Sequence, residues 1–263
     1  MNTHASGPAS PSIEVTRVAD DQWQALEGDR VVGTGDLSHR SGGRAYVSID
    51  AWHDAAFDRL ARVMPAALPT PLHTVVDEDD HDLIARWRQA GFTPGRREGE
   101  YVVPTDPGVT GLGAAPVPEG VTVVPFGAAQ EGPLRDLDRA VRDEVAAAGG
   151  WHTMPAEVVP LPPGVTVVDP AKYAVAVLDG RYVGMLRIAP VPRRPRIGLL
   201  AVRADVRRRG IARALLAEVL GSLHAAGVAG AWAEAQESNR PGLSLLAEVG
   251  ARRVGGNVEL ERR

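Results

Sequence analysis

The sequence predicts an α/β protein made of two tandem copies of one domain, each a central twisted mixed β-sheet flanked by helices. Two similar hairpin patterns indicate the duplication: residues 25–33 read ALEGDRVVG, and residues 176–184 read AVLDGRYVG. The copies also end alike, because one helical stretch leads into Gly91-Phe92 and then EYVVP, and another leads into Gly250-Ala251 and then VELER. Self-similarity in a fixed order is the sequence signature of an internal repeat.

Composition limits the class of protein. The chain has 263 residues with 28 arginines, one lysine, no cysteine and a net charge of −4. The arginine excess accompanies abundant Ala, Gly and Pro, which indicates GC-rich coding rather than a binding surface along the whole chain. The absence of cysteine excludes disulfide scaffolds, thiolate zinc sites and cysteine nucleophiles. A pI near 6.0 argues against a nucleic-acid-binding protein.

The ends and the middle of the chain predict its organisation. The first residues, MNTHASGPASPS, do not resemble a signal peptide, and no run approaches 18 apolar residues, so we expect a cytoplasmic protein without membrane association. A Pro- and Gly-rich stretch predicts a linker at 105–118. It separates an N-terminal domain at 13–104 from a C-terminal domain at 119–263. Each hairpin is expected to turn at its acidic-glycine pair, Gly28-Asp29 or Asp179-Gly180.

The second copy contains features that the first lacks. It has about 40 additional residues before its hairpin, including a stretch at 134–148 with helical spacing of apolar residues. After the hairpin, a strand at 197–202 runs through ADVRRRGIARALL into an amphipathic helix. At that place the first copy reads IDAWH, with neither a glycine nor an arginine run. A single active site is therefore expected in the second copy.

The segment between that strand and helix, 207–213, has the chemistry of an anion site. The first N–H groups of a helix lack intrahelical partners and lie at the positive end of its dipole. Gly210 and the small Ala212 allow close approach of a phosphate, and Arg207, Arg208, Arg209 and Arg213 add positive charge. The alternative is a solvated, arginine-rich helix start. A Walker loop is excluded because Lys172, the single lysine, follows Pro170-Ala171, and G-x-G-x-x-G, G-x-S-x-G and H-E-x-x-H motifs do not occur.

Residues 200–213, LAVRADVRRRGIAR, resemble the acetyl-CoA-binding segment of the GCN5-related N-acetyltransferases (GNAT family), whose pattern is R/Q-x-x-G-x-G/A. Arg207, Gly210 and Ala212 match its defining positions. Downstream, ESNRPGLSLLAEVGA resembles the second block of the family, with Ala251 in the usual aromatic place. The resemblance covers 119–263 well and the first half weakly. It implies an active C-terminal copy and a degenerate, structural N-terminal copy.

The resemblance implies roles for individual residues. Acetyl-CoA would be the cosubstrate, and no metal would be needed. Asn239 would bond the pantetheine arm, and the amine acceptor would attack the thioester directly in a ternary complex. The remaining cofactor-binding residues are the strand residues Leu200, Ala201 and Val202, for pantetheine, and the loop residues Arg207, Arg208, Arg209, Gly210, Ile211, Ala212 and Arg213, for pyrophosphate.

The catalytic acid and base are less completely specified. The second block, ESNRPGLSLLAEVGA, resembles that of amino-terminal acetyltransferases of ribosomal proteins, and this resemblance implies Glu234 as the general base. The alternation of side chains along a strand would put Glu234 on one face with Trp232 and Gln236. The alternatives are that Glu234 is a polar strand residue or an ion-pair partner, and Glu237 is a second candidate base. Leu246 stands where the family usually has a tyrosine acid. A non-catalytic acyl-CoA sensor or interaction module is therefore the competing function.

Two further groups have an open interpretation. Trp151 and His152, in the loop at 149–155, either line an acceptor pocket or are a packed Trp and a surface His. The stretch from His73 to His81, with its four consecutive acidic residues at 77–80, either binds a hard cation or is an acidic loop that starts a helix.

The expected acceptor is a small-molecule or peptide amine, and aminoglycosides, polyamines, amino acids, peptide termini and biosynthetic intermediates all stay open. The length of the acyl chain also stays open. The oligomeric state is either a monomer with an internal pseudo-dimer or a homodimer.

Overall fold

The computed structural model describes residues 12–40, 43–114, 116–147, 168–189 and 194–263. Contacts divide the chain into two units. Unit 1 comprises the residues up to Gly95 together with Val258–Arg263, and unit 2 comprises Arg96–Asn257. Both units are α/β structures with a mixed sheet flanked by helices, as the sequence predicts.

The described residues form twelve strands and six helices. The strands are β1 (Ile13–Ala19), β2 (Gln22–Glu27), β3 (Arg30–His39), β4 (Ala45–Ala51), β5 (Leu72–Asp77), β6 (Thr93–Pro104), β7 (Val121–Val124), β8 (Tyr173–Leu178), β9 (Arg181–Ala189), β10 (Arg196–Val202), β11 (Gly230–Gln236) and β12 (Arg252–Arg262). The helices are α1 (Asp54–Ala66), α2 (His81–Gln89), α3 (Pro107–Thr110), α4 (Glu131–Ala147), α5 (Ile211–Ala225) and α6 (Arg240–Glu248).

The two units repeat one strand order. In unit 1, β1 to β4 pair in sequence as antiparallel neighbours, and β5 then pairs with β4 in parallel. In unit 2, β7 to β10 pair in the same way, and β11 pairs with β10 in parallel. Both hairpins turn where the sequence predicts. Asp179 and Gly180 both have positive φ, as a type I′ turn requires, and in the first hairpin Gly28 has positive φ. The duplication is therefore visible in the topology.

The last strand of each copy belongs to the other unit. The second half of β6 pairs with β11, and its Val103 is buried in the core of unit 2. The end of β12 places Val258 and Leu260 in the core of unit 1, where β12 is the neighbour of β5. Packing therefore divides the chain into compact units at 95/96 and 257/258. The domains at 13–104 and 119–263 follow the sequence repeat and stay a prediction. Local patterns carry no information about such long-range exchange.

The predicted linker at 105–118 is partly folded. Asp106 caps α3 by accepting a hydrogen bond from the Gly108 N–H at 2.8 Å, and Pro107 occupies the first turn. Leu112 is buried in the core cluster that includes α5. The Pro- and Gly-rich composition indicates the turns correctly but hides this packing.

A buried polar cluster in unit 1 holds the end of β12. Glu259 accepts hydrogen bonds from Arg44 and from the Tyr46 hydroxyl, the latter at 3.0 Å, and His73 Nδ1 lies 3.2 Å from its carboxylate. Burial and the neighbouring Glu259 raise the pKa of Tyr46 to about 12. Burial, aided by Arg44, lowers the pKa of His73. Because His73 is a buried member of this cluster and Asp80 caps α2, the acidic stretch is the loop that starts a helix.

Unit 2 has apolar packing on both faces of its sheet. On one face, α5 buries Ile211, Leu215 and Val219 in a cluster shared with Ala231 and Ala233 of β11. On the other, α4 buries Leu134 and Leu137 against β8 and β9. In unit 1, by contrast, only the Asp20-Asp21 turn separates β1 from β2, so that copy has no counterpart of α4. Among the described residues, no helix has the length and apolar character needed to cross a membrane.

Candidate functional site

The site is built around the point where β10 and β11 separate. β10 pairs with β9 along its length, but its parallel ladder with β11 consists of two pairs in the described residues, Arg196 with Trp232 and Ile197 with Ala233. A register shift in β10 between Ile197 and Leu199 accompanies the separation. Beyond it, residues 200–202 present a strand edge without a β11 partner. Backbone N–H and C=O groups on this edge that have no strand partner among the described residues are available for a ligand between the strands, although the Val202 carbonyl already accepts a hydrogen bond from Arg207.

The edge ends at an exposed loop and an uncapped helix. Residues 207–210 are exposed, while Val206 anchors the loop in the core. Gly210 is the N-cap residue of α5, has φ +84° and supplies no side-chain cap. The first-turn N–H groups of α5, from Ile211 to Arg213, therefore face outward at the positive end of the helix dipole. The Ile211 side chain is buried, so only its backbone can contribute to an anion site.

The four predicted arginines fall into two pairs. Arg207 Nε donates to the Val202 carbonyl at 3.0 Å, and its Nη2 lies 3.2 Å from a carboxylate oxygen of Glu144 on α4. Arg213 forms an ion pair with Glu248. In the described part of the chain, Arg208 and Arg209 have no carboxylate partner. These two guanidinium groups are therefore the ones open to a phosphate, whereas Arg207 and Arg213 are engaged within the protein.

Unit 1 has the same strand divergence but a closed helix start. β4 and β5 also share two ladder pairs in the described residues. The helix that follows β4 is capped by His53, whose Nδ1 accepts from the Ala56 N–H at 3.3 Å, and its first turn holds Asp54. A side-chain acceptor and a negative charge already satisfy this helix terminus. The sequence difference at this place, IDAWH against RRRGIA, thus accompanies a capped helix start in unit 1 and an uncapped one in unit 2.

Glu234 lies on the predicted face of β11. Trp232, Glu234 and Gln236 are half-buried on one face, while Ala231, Ala233 and Ala235 are buried on the other. Glu234 forms an ion pair with Arg196 of β10, which is one of the alternatives that the sequence left open. The guanidinium of Arg194 lies 3.8 Å from the centroid of the Trp232 ring. Two positive groups therefore already contact this face of β11.

Sequence reasoning missed Glu100. It lies on β6 directly across from Glu234 in the antiparallel ladder and is half-buried. Paired residues of antiparallel strands have side chains on the same face, about 5 Å apart at Cβ. No local signal could identify it, because β6 is the final strand of the first copy in sequence and joins β11 only in the folded chain.

Asn239 has a structural role at the start of α6. Its Oδ1 accepts from the Gly242 N–H at 3.1 Å, and a Cβ on residue 242 would lie 2.5 Å from Asn239 Nδ2. The side-chain oxygen is thus used by the helix cap, whereas the amide NH2 can still donate to a ligand. The predicted cofactor contact would have to come from this NH2.

The tyrosines do not provide a direct replacement for the missing acid. Tyr101 of β6 packs against the same core cluster as Leu246. Burial raises the pKa of Tyr173, which makes it a weaker proton donor than an ordinary tyrosine. The Tyr182 hydroxyl accepts a hydrogen bond from the Gln130 N–H at 3.0 Å. Trp151 and His152 lie outside the described residues.

Comparisons with known proteins identify a family domain in the second half of the chain. Residues 149–251 match the Acetyltransferase (GNAT) family, so the chain contains a GNAT acetyltransferase domain there. Enzymes of this family in general transfer acetyl groups from acetyl-CoA to amines. No curated protein matches the chain.

Several solved structures share the fold. A GCN5-related N-acetyltransferase from Sphaerobacter thermophilus is 18% identical with a TM-score of 0.63, covering 94% of this chain and 82% of its own. A tandem GNAT protein from the clavulanic acid biosynthesis pathway is 19% identical with a TM-score of 0.61, covering 96% and 84%. A GNAT-family acetyltransferase from Colwellia psychrerythraea is 11% identical with a TM-score of 0.59, covering 92% and 85%. The fold is therefore that of a tandem GNAT protein.

Proposed function

We propose that unit 2 is an N-acetyltransferase that moves an acetyl group from acetyl-CoA to a primary amine of a small molecule or peptide. The main support is the edge of β10 that has no β11 partner among the described residues and leads directly to the uncapped N-terminus of α5. Beside it lie Arg208 and Arg209, which have no carboxylate partner in the same part of the chain. An elongated ligand with an anionic pyrophosphate and an amide-rich arm matches these two surfaces. Because the helix start in unit 1 is capped, we propose a structural role for the N-terminal copy.

The cofactor would be held largely by backbone groups. The pantetheine arm would pair with residues 200–202, and the pyrophosphate would accept hydrogen bonds from the N–H groups at 211–213. Arg208 and Arg209 would pair with phosphate oxygens, and the Asn239 NH2 would donate to the pantetheine arm. This positioning fixes the thioester at the strand divergence, so that a bound amine can attack without a covalent enzyme intermediate.

Transfer would take place in a ternary complex. The amine nitrogen bonds to the acetyl carbonyl carbon, and the carbon–sulfur bond breaks as CoA leaves as a thiolate. Glu234 would receive the proton of the ammonium group, directly or through water. Its ion pair with Arg196 orients the carboxylate, and Glu100 across the ladder is a second carboxylate on the same face. CoA would take its proton from water or another side chain, because Leu246 cannot supply one.

Leu246 also favours the second candidate function, a non-catalytic acyl-CoA sensor. Incubation with acetyl-CoA and a panel of amines, with thiol release as the measurement, distinguishes the two. The panel would include a polyamine, an aminoglycoside, an amino acid and a peptide with a free N-terminus. We expect amine-dependent thiol release with at least one acceptor. CoA binding without amine-dependent thiol release would favour the sensor, and no CoA binding at all would refute both.

Glu234→Gln tests the base assignment. We expect a lower rate and a loss of the acidic limb of the pH–rate profile, because Gln cannot accept the proton. Glu237→Gln is the matched control, since Glu237 is exposed and lies just beyond the end of β11. A wild-type pH–rate profile for Glu234→Gln together with a changed one for Glu237→Gln would move the role of general base to Glu237.

We also propose that the protein is cytoplasmic and that it is a monomer or a homodimer.

A further inference from the structure

Glu144, in the last turn of α4, joins that helix to the loop at 204–210. Both of its carboxylate oxygens accept from the Ala204 N–H, at 3.2 and 3.0 Å, and one lies 3.2 Å from Arg207 Nη2. Its side chain is 24% exposed, so these contacts are partly shielded from water. A single carboxylate therefore contacts the loop both where it leaves β10 and where its exposed part begins.

The loop needs such support because its backbone is strained. Arg208 has φ +61°, in the left-handed region that an arginine rarely adopts. Non-glycine residues persist there when the surrounding structure holds them in place. Arg207 precedes Arg208 directly, and its guanidinium is fixed between the Val202 carbonyl and Glu144. A planar guanidinium held at two points restricts the backbone to which it is attached.

We propose that Glu144 is a positioning residue that holds the loop at 204–210 in its anion-binding conformation before the cofactor arrives. This inference rests on the proposed function, because the anion is taken to be the pyrophosphate of CoA. Glu144 itself would not contact the ligand. Its effect would pass through the Ala204 N–H and the Arg207 guanidinium to Arg208, Gly210 and the first turn of α5.

The sign of the effect separates positioning from simple electrostatics. Glu144 is a negative charge close to an anion site, so its removal alone would strengthen the binding of an anionic ligand. If it positions the loop, Glu144→Ala weakens CoA binding, by about tenfold for the loss of a charge-assisted pair and a backbone hydrogen bond. Glu144→Gln keeps an oxygen for the Ala204 N–H but loses the charge, and we expect an intermediate affinity.

Asp143→Asn is the matched control. Asp143 is the neighbouring residue on α4, is exposed, and makes no contact of this kind in the described structure. The Asp143→Asn substitution removes one negative charge from the same helix as Glu144→Ala does, and we expect its CoA affinity to be unchanged or slightly higher. Arg207→Ala, alone and combined with Glu144→Ala, completes a double-mutant cycle. We expect the combined loss to be smaller than the product of the two single losses.

Amide hydrogen exchange without any ligand gives an independent measurement. We expect the Ala204 amide and the amides at 206–210 to exchange faster in Glu144→Ala than in the wild type, and at the wild-type rate in Asp143→Asn. Unchanged exchange together with wild-type or tighter CoA affinity in Glu144→Ala would overturn the inference. If the wild type failed to bind CoA, the proposed function would fail, while the exchange data would still decide the role of Glu144.

Discussion

Arg208 combines backbone strain with a guanidinium that has no carboxylate partner among the described residues, so its replacement should affect stability and binding differently. Left-handed geometry costs a non-glycine residue about 1–2 kcal/mol, and Arg208 has φ +61°. Glycine relieves this strain but gains entropy in the unfolded chain, worth about 0.5–1 kcal/mol. For Arg208→Gly we therefore expect unfolding to require about 0.5–1 kcal/mol more free energy than in the wild type. Arg208→Ala keeps the strain and should leave stability nearly unchanged.

Both variants should bind CoA less tightly. Each loses one guanidinium without a carboxylate partner in the described structure, and a charge-assisted contact to phosphate at an exposed site corresponds to about tenfold in affinity. The affinity that remains should also fall less steeply with added salt, because one screened attraction is gone. Denaturant unfolding and calorimetric CoA titration at two salt concentrations measure the two effects separately.

A control removes backbone strain away from the loop. Asp179 has φ +51° in the β8–β9 hairpin and is exposed. Asp179→Gly should be stabilised less than Arg208→Gly, because aspartate tolerates left-handed geometry better than arginine, and its CoA affinity should not change. If Arg208→Gly were destabilised, or if Arg208→Ala bound CoA as tightly as the wild type, the account of this loop would be refuted.

Two further predictions concern the helix cap and the buried histidine. Asn239→Ala should lower the free energy of unfolding by about 1 kcal/mol, because the α6 cap is lost. Asn239→Asp should keep the cap but bind CoA more weakly, because it lacks the NH2 donor. Equal CoA affinity for Asn239→Asp and the wild type would remove Asn239 from the cofactor site. Because burial lowers the pKa of His73, the unfolded chain binds its proton more readily. Stability should therefore fall as pH drops below about 6.5, the unfolded value. His73→Asn should flatten this dependence in thermal unfolding measured across pH, and an unchanged slope would contradict the assignment.

The elements of unit 2 were predictable from sequence where the signal is local. Alternation correctly put Trp232, Glu234 and Gln236 on one face, apolar spacing predicted α4 and α5, and the acidic-glycine pairs predicted both hairpin turns. The arginine run also marked the loop before α5. In each case a few neighbouring residues decide the structure, because backbone geometry and side-chain periodicity act over that distance.

The contacts of the site were not predictable in the same way. Arg207 and Glu144, Arg196 and Glu234, and Glu100 opposite Glu234 are each brought together by tertiary packing. The exchange of the final strands has the same origin, since β6 and β12 carry no local mark of the sheet they join. The sequence therefore indicates which residues are available for chemistry, whereas the fold decides which of them are already engaged.

A crystal structure of the chain with acetyl-CoA tests the central proposal most directly. The account predicts the pyrophosphate at the N-terminus of α5, within hydrogen-bond distance of the N–H groups at 211–213, and the pantetheine along the edge of β10 at 200–202. The thioester should then lie where β10 and β11 separate, on the side of Glu234. Acetyl-CoA bound at the capped start of α1 in unit 1, or away from the β10 edge, would contradict it.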